Sequence, residues 1–248
     1  MKKFGVILAG SAMLFAANAK ATLIAGWDFV TTTNGGQSSS ISNLTGGSLK
    51  ANFGSGTLYL NGTNGSSSWL ASSDSANVAE ISDAGGTALN TLSGWGTSTS
   101  GTSGLGTYSR AGQKSISFAL DMSGYENLSI SYAAARTTAT TAPSHLWEYS
   151  TDGANWTTAQ TITNSITGSA STSYTVLSLN PITALDGDST VFVRFTLIGG
   201  SGATGQTRFD NFQFNATAVP EPGTTSAAAM ALAALAITVR VRRRKIAA

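Results

Sequence analysis

Short runs in which every second residue is apolar are the main structural signal in this chain. Residues 116–120 and 128–132 alternate between large apolar side chains and serine or alanine. A period of two predicts strands with one buried face, here joined by a turn at 121–127. Further strands are predicted at 23–30, 57–60, 145–150, 173–179, 191–198 and 208–214. The run Val191–Ile198 is the most apolar, so we expect it inside a sheet.

Roughly eight to ten short strands separated by polar turns favour an all-β fold, a two-sheet β-sandwich of jelly-roll-like form. The sandwich is expected over residues 22–215, followed by a linker at 216–223. Asp152-Gly153 marks a hairpin turn. The glycine- and serine-rich stretch Gly94–Gly106 is interpreted as a flexible surface loop around Trp95.

Charge and cysteine content narrow the function classes. Between Thr22 and Val219 there are six basic and eleven acidic residues, a net charge of −5. The basic pI therefore comes from residues at the two termini. The part between them has no excess of basic residues, so it is not expected to bind nucleic acid. The chain has no cysteine, so burial alone must stabilise the sandwich.

The N-terminus has the features of a secretory signal helix, at residues 1–21. Two lysines precede the apolar stretch Phe4–Ala17, which as a helix spans only about 21 Å. Small residues at Ala19 and Ala21 are candidate cleavage positions for signal peptidase. The alternative is an uncleaved N-terminal anchor.

The C-terminus, at residues 224–248, predicts a transmembrane anchor. Thr224–Val239 is apolar and alanine-rich, about 24 Å as a helix. A basic cluster follows and should stay cytoplasmic, which leaves the body on the far side of the membrane. The cluster consists of Arg240, Arg242, Arg243, Arg244 and Lys245.

The tail resembles the PEP-CTERM sorting signal of Gram-negative bacteria. Its sorting motif is Val219, Pro220, Glu221 and Pro222, of which the last three are Pro-Glu-Pro, and the short apolar helix and the arginine cluster follow. The resemblance implies recognition by an exosortase and a link to extracellular polysaccharide or biofilm matrix. Two prolines keep the motif extended and accessible. The alternative is a plain tail anchor behind a proline-rich linker.

The segment Trp147–Phe214 also resembles the lectin-like sandwich domains of exported bacterial proteins. The matching positions are Tyr149, Ser150, Asp152 and Gly153 in the hairpin, Val193, Arg194 and Phe195 in an apolar strand, and Asp210 and Asn211 in the last strand. This resemblance implies a sandwich and carries no catalytic residue over.

No catalytic constellation emerges, and we do not expect an enzyme. His145 is the only histidine and is interpreted as a surface residue of a strand, without a nucleophile elbow. A glycosidase needs two paired carboxylates, and nothing in the sequence pairs Glu80, Glu126 or Glu148.

Two binding chemistries remain. Asp28 in the first strand and Asp210 in the last can meet in a sandwich and hold a structural calcium ion, although salt bridges to Arg194 or Arg208 are the simpler interpretation. No other cofactor is expected. Trp95 and Trp156 are candidate carbohydrate-binding residues, because a tryptophan face stacks on a sugar ring, and Trp95 is expected to be exposed.

These observations predict an exported protein, anchored in the inner membrane and processed to the cell surface or matrix. Its expected role is structural or adhesive within exopolysaccharide; the alternatives are a carbohydrate-binding lectin-like module and a glycan hydrolase. The expected partners are signal peptidase, exosortase, the membrane and polysaccharide.

Mass spectrometry of the protein recovered from its native host tests the processing. We expect an N-terminus created after Ala19 or Ala21 and loss of the tail near Pro222. An intact Ala248 in the surface-located protein would contradict sorting by exosortase.

Overall fold

The alternating runs form two antiparallel sheets in the computed structural model. The structure describes residues 20–30, 48–59, 81–96, 104–108, 115–164, 174–200 and 205–220. The sandwich extends over Ala21–Ala218. Thirteen strands lie in the described ranges. The predicted all-β, two-sheet sandwich is confirmed, while the jelly-roll order stays a prediction.

Sheet A has seven strands. Its core order is β11-β8-β13-β1-β3, and β6 extends the sheet beside the first half of β13 and pairs in turn with β5. The strands are β1 (Ala21–Trp27), β3 (Phe53–Gly54), β5 (Ile81–Ala84), β6 (Gly104–Tyr108), β8 (Tyr125–Arg136), β11 (Thr175–Ser178) and β13 (Gln206–Ala218).

Sheet B has six strands in the order β10-β9-β12-β7-β4-β2. The most apolar strand, β12, lies inside the sheet, as predicted. The strands are β2 (Ser48–Lys50), β4 (Gly56–Tyr59), β7 (Ser115–Leu120), β9 (Ser144–Ser150), β10 (Thr157–Thr163) and β12 (Val191–Ile198). A short 3-10 turn at Thr183–Leu185 precedes β12.

Aromatic side chains lock the two sheets together. Phe118 of sheet B is fully buried and lies 5.2 Å, between ring centroids, from Trp27 and 4.8 Å from Phe214, both in sheet A. Within sheet B it also contacts Trp147 and Phe195. Edge-to-face and offset contacts of this kind add to the free energy gained by burial. Phe118 therefore links both sheets at the centre of the core.

A β-bulge in β13 decides which of its residues face that core. Asp210 pairs with Ala133 and Gln213 with Ser131, so β13 carries one extra residue there. Asn211 takes a positive φ of 51°, a conformation that asparagine tolerates better than most residues. The bulge lets Phe209 and Phe212 both be buried although they are three residues apart.

Some boundaries differ from the sequence-based expectation. β13 runs to Ala218, three residues into the range 216–223 predicted as a linker, because Ala216 is fully buried and Thr217 pairs with Ala21. The predicted first strand ends at Trp27, since Phe29 has a positive φ. Strand β10 was not predicted, because its threonine-rich sequence lacks apolar alternation.

No helix among the described ranges is long and apolar enough to cross a membrane. The predicted signal helix and transmembrane helix lie outside the described residues.

Replacing Phe118 with alanine should lower the free energy of unfolding by about 3–5 kcal/mol, because it opens a cavity between the sheets. Urea titration followed by tryptophan fluorescence measures the change. The matched control is Val176→Ala, an exposed apolar residue of β11, which should stay within about 0.5 kcal/mol of the wild type. Equal effects of the two substitutions would contradict the role given to Phe118.

Candidate functional site

The bulge in β13 holds loop 85–96, the connection that follows β5. The Asp210 carboxylate accepts hydrogen bonds from the backbone N–H of Thr87 (2.7 Å) and of Asn211 (2.8 Å). The Asn211 amide donates to the carbonyls of Thr87 and Leu89, both at 2.8 Å. Two adjacent side chains thus anchor the backbone of the loop to β13.

Asp28 holds the other end of the same loop. One carboxylate oxygen accepts a hydrogen bond from Gly96 N at 2.8 Å, and the other accepts one from Val30 N at 3.1 Å. Asn52 fixes the backbone of Asp28, since its side-chain oxygen accepts from Asp28 N at 3.0 Å. Asp28 is fully buried, so these bonds stabilise a carboxylate removed from water.

The structure therefore brings Asp28 and Asp210 into one region, as the calcium hypothesis required. Of the two arginines considered as salt-bridge partners, Arg194 forms an ion pair with Glu148 instead. Pairing with Arg208 stays a prediction. Within the described ranges no group of three acidic, histidine or cysteine residues could hold a metal. Asn211 Oδ1, next to Asp210 in the chain, is buried without a hydrogen-bond partner. Bound calcium stays a prediction.

Burial perturbs the Asp210 carboxyl strongly. Removal from water raises its pKa to about 8, against the lowering effect of the N–H groups of Thr87 and Asn211, and the nearby Asp28 raises it further. Burial thus disfavours the charged form of Asp210.

Trp95 is buried, which corrects the expectation that it is exposed on a flexible loop. Its ring stacks on Phe53, with centroids 5.0 Å apart and planes 5° apart. Gly26 pairs with Phe53, and a Cβ at Gly26 would come within 2.5 Å of the Trp95 ring. The indole therefore covers a glycine on the outer face of sheet A. This contact is tertiary and has no local sequence signal.

Trp156 has a different environment, on the outer face of sheet B. It is half-buried, and the Arg194 guanidinium lies 4.0 Å from the centroid of its ring. Arg194 Nε donates to Glu148 Oε2 at 2.7 Å. An aromatic ring, a cation and a carboxylate therefore form one cluster, which we call the Trp156 cluster.

The predicted hairpin positions Trp156. Asp152 accepts hydrogen bonds from the N–H groups of Ala154 and Asn155 and from the Ser150 hydroxyl, each at 2.8 Å. The bonds from Asn155 are the main cause that holds the pKa of Asp152 well below its usual range. Gly153 has a positive φ of 71°, which a glycine adopts without strain. The turn is thus closed by its own side chains just before Trp156.

His145 is fully buried in the core, so its interpretation as a surface residue is wrong. Its Nδ1 lies 2.8 Å from the Tyr132 hydroxyl, which also accepts a hydrogen bond from Trp147 Nε1 at 3.1 Å. Burial, assisted by the charge of Arg136, lowers the pKa of His145 to about 3. A neutral imidazole enclosed by aromatic rings is a packing residue.

The glutamates considered for glycoside hydrolysis are not brought together. Glu126 belongs to β8 in sheet A, and Glu148 to β9 in sheet B, where it is bound to Arg194. Glu80 lies outside the described residues.

The processing positions are only partly described. Ala21 begins β1 and pairs with Thr217, while Val219 and Pro220 are exposed directly after the end of β13. Ala19, Glu221, Pro222 and the basic cluster lie outside the described residues.

Comparison with known proteins gives remote likenesses only. No protein-family model matches the chain, and no curated protein matches it. The CBM22-1 xylan-binding domain from Paenibacillus barcinonensis Xyn10C is 10% identical with a TM-score of 0.39, covering 82% of this chain and 100% of that one.

Two other carbohydrate-binding modules are similarly distant. A family 35 module from an environmental isolate is 16% identical (TM-score 0.35; 57% of this chain, 93% of that one). A CBM36 module in complex with calcium and xylotriose is 18% identical (TM-score 0.32; 50% and 85%). These TM-scores are below 0.5, so the likenesses carry no weight for function or for a metal.

Stability should depend on pH through Asp210. Its pKa is raised on folding from 3.8 to about 8, so between these values the folded state holds a proton that the unfolded state has released. The free energy of unfolding should therefore fall as pH rises from about 4 to about 8. Asp210→Asn cannot titrate and should flatten this slope in thermal melts.

Adding calcium distinguishes between the two roles considered for Asp28 and Asp210, a metal site and an anchor for loop 85–96. A rise in the wild-type melting temperature with calcium, larger at pH 8 than at pH 5 and absent in Asp210→Asn, supports the metal site. If calcium leaves the melting temperature unchanged while the pH slope is present, the two aspartates only hold the loop in place. A pH slope unchanged in Asp210→Asn would contradict the assignment to Asp210.

Proposed function

We propose that this chain is an exported envelope protein whose β-sandwich binds polysaccharide without cleaving it. The observation that carries the proposal is the Trp156 cluster on the outer face of sheet B. Its three side chains come from β9, β12 and the hairpin before β10, so a rigid sheet holds them.

The chemistry of the cluster suits a sugar. A half-buried indole offers an apolar surface for the C–H face of a pyranose ring. Arg194 presents donors beyond the Nε–H that Glu148 occupies, and Glu148 presents acceptors. Hydroxyl groups on a sugar can meet both requirements at once. Because the two charges compensate each other, the cluster favours an uncharged ligand.

Sorting through the C-terminal signal completes the proposal. The body ends at Ala218 with exposed Val219 and Pro220, which supports access of a processing enzyme to the motif. In this scheme signal peptidase and exosortase act on the chain at the inner membrane. The product reaches the cell surface or extracellular matrix.

Binding is favoured over the other two roles. An ion pair and a cation–π contact can also stabilise a sheet face; what favours binding is that the indole beside them stays only half-buried. A glycan hydrolase requires two carboxylates across one bond, and Glu126 and Glu148 belong to different sheets.

Trp156→Ala should weaken binding to the polysaccharide of the native matrix by at least about thirtyfold, the cost of losing an aromatic anchor. Affinity electrophoresis in gels containing the extracted polysaccharide measures the loss. Trp156→Phe keeps an aromatic face and should retain most of the affinity.

Val176→Ala, on the opposite sheet, is the matched control and should bind like the wild type. Wild-type protein that shows no affinity for the matrix polysaccharide would overturn the binding function. Unchanged binding by Trp156→Ala would overturn the site.

A further inference from the structure

A concavity with a mixed polar and apolar lining lies at one end of sheet B. It is an open pocket of about 480 Å³ between the turn joining β3 to β4, the end of β7 and the residues before β12. Its polar lining comprises Lys50, Ser55, Thr57, Asp121, Ser189 and Thr190. Its lining shares no residue with the Trp156 cluster or with loop 85–96.

Glycines shape one wall of the pocket. Gly54 has a positive φ of 69°, and a Cβ there would come within 2.1 Å of the Ile24 carbonyl oxygen. A Cβ at Gly56 would lie 2.9 Å from the Trp27 ring. The turn must therefore pack its bare backbone against β1, and Ser55 is its only side chain. The small side chain of Ala119 leaves space in the neighbouring part of the pocket.

The charges in the pocket are balanced. Lys50 Nζ donates to Thr57 Oγ1 at 2.9 Å. Asp121 Oδ1 accepts a hydrogen bond from Ser123 N at 2.8 Å, and its bonds with Ser123 lower the pKa of Asp121, so it is ionised at neutral pH. One ammonium, one carboxylate and several hydroxyls provide donors and acceptors in a small space. This lining suits a neutral polyhydroxyl group better than an anion, which Asp121 would repel.

Strand register connects the pocket with the Trp156 cluster. Phe192 pairs with Ser150 on one side and with Ala119 on the other, and Ala119 pairs with Thr57. Thr57 pairs in turn with Lys50. This cross-strand row spans five strands, or about 19 Å. It leads from the start of the Trp156 hairpin to the pocket along a single sheet face.

We infer that the pocket is a second sugar subsite, which holds a neutral residue of the same polysaccharide chain that stacks on Trp156. This inference rests on the proposed binding function and adds to it a ligand class and a direction. The glycan is an uncharged chain that lies across the strands of sheet B. Lys50 and Asp121 bind hydroxyls of one residue, and the Trp156 cluster binds residues further along the chain.

Calorimetry on the full-length protein in detergent tests the inference, with neutral gluco- and xylo-oligosaccharides as probes. Wild type should bind a hexasaccharide more tightly than a disaccharide. Lys50→Met and Asp121→Asn should each weaken hexasaccharide binding about tenfold, the effect of one lost hydrogen bond to a charged group. Both should also reduce the ratio of hexasaccharide affinity to disaccharide affinity, because the longer chain alone can reach the pocket and the Trp156 cluster together. Trp156→Ala should weaken the binding of both ligands by at least about thirtyfold, and Val176→Ala should bind both like the wild type.

The outcomes separate the two hypotheses. If both pocket variants bind the hexasaccharide like the wild type while Trp156→Ala does not, the pocket inference is wrong and the binding function stands. If an oligouronate binds more tightly than the neutral series, the ligand class is wrong. If wild type binds no oligosaccharide and no matrix polysaccharide, the binding function itself fails. Thermal melts check that each variant is folded, and the two pocket substitutions provide independent readings.

Discussion

The bulge in β13 is the constraint on which the rest of sheet A depends. One extra residue at Asn211 sets Phe209, Phe212 and Phe214 into the core. It leaves Asp210 and Asn211 to bind the backbone of loop 85–96. Without the bulge, strict alternation would place Phe209 and Phe212 on opposite faces, because side chains in a strand alternate with a period of two. Core packing and loop anchoring are therefore consequences of the same local distortion.

Packing in the aromatic core also fixes which residues of sheet B face inward. Phe118 contacts rings from both sheets, so the inward register of β7 is fixed by packing rather than by hydrogen bonds alone. Once that register is set, the intervening positions of β7, β9 and β12 must face outward. Glu148 and Arg194 then meet beside Trp156. The proposed binding face is thus the outer face of sheet B, whose inner face packs in the core.

Sequence patterns recovered the strands that alternate clearly and missed those that do not. Residues 116–120 and 191–198 lie in strands as expected, since each has one apolar face. Strand β10 carries threonine on both faces and gives no such signal. The bulge does have a sequence signal. The phenylalanines at 209, 212 and 214 depart from a period of two, and an asparagine lies at the point of departure.

By itself, the sequence determined the all-β class and the Asp152-Gly153 turn, because these depend on neighbours along the chain. It also carried the two terminal segments, whose proposed roles rest on length, hydrophobicity and charge. Tertiary structure alone decided that Trp95 is buried over Gly26 while Trp156 lies beside Arg194. It alone placed His145 in the core and joined Asp28 and Asp210 to one loop. These outcomes depend on contacts between residues far apart in sequence, which no local pattern encodes.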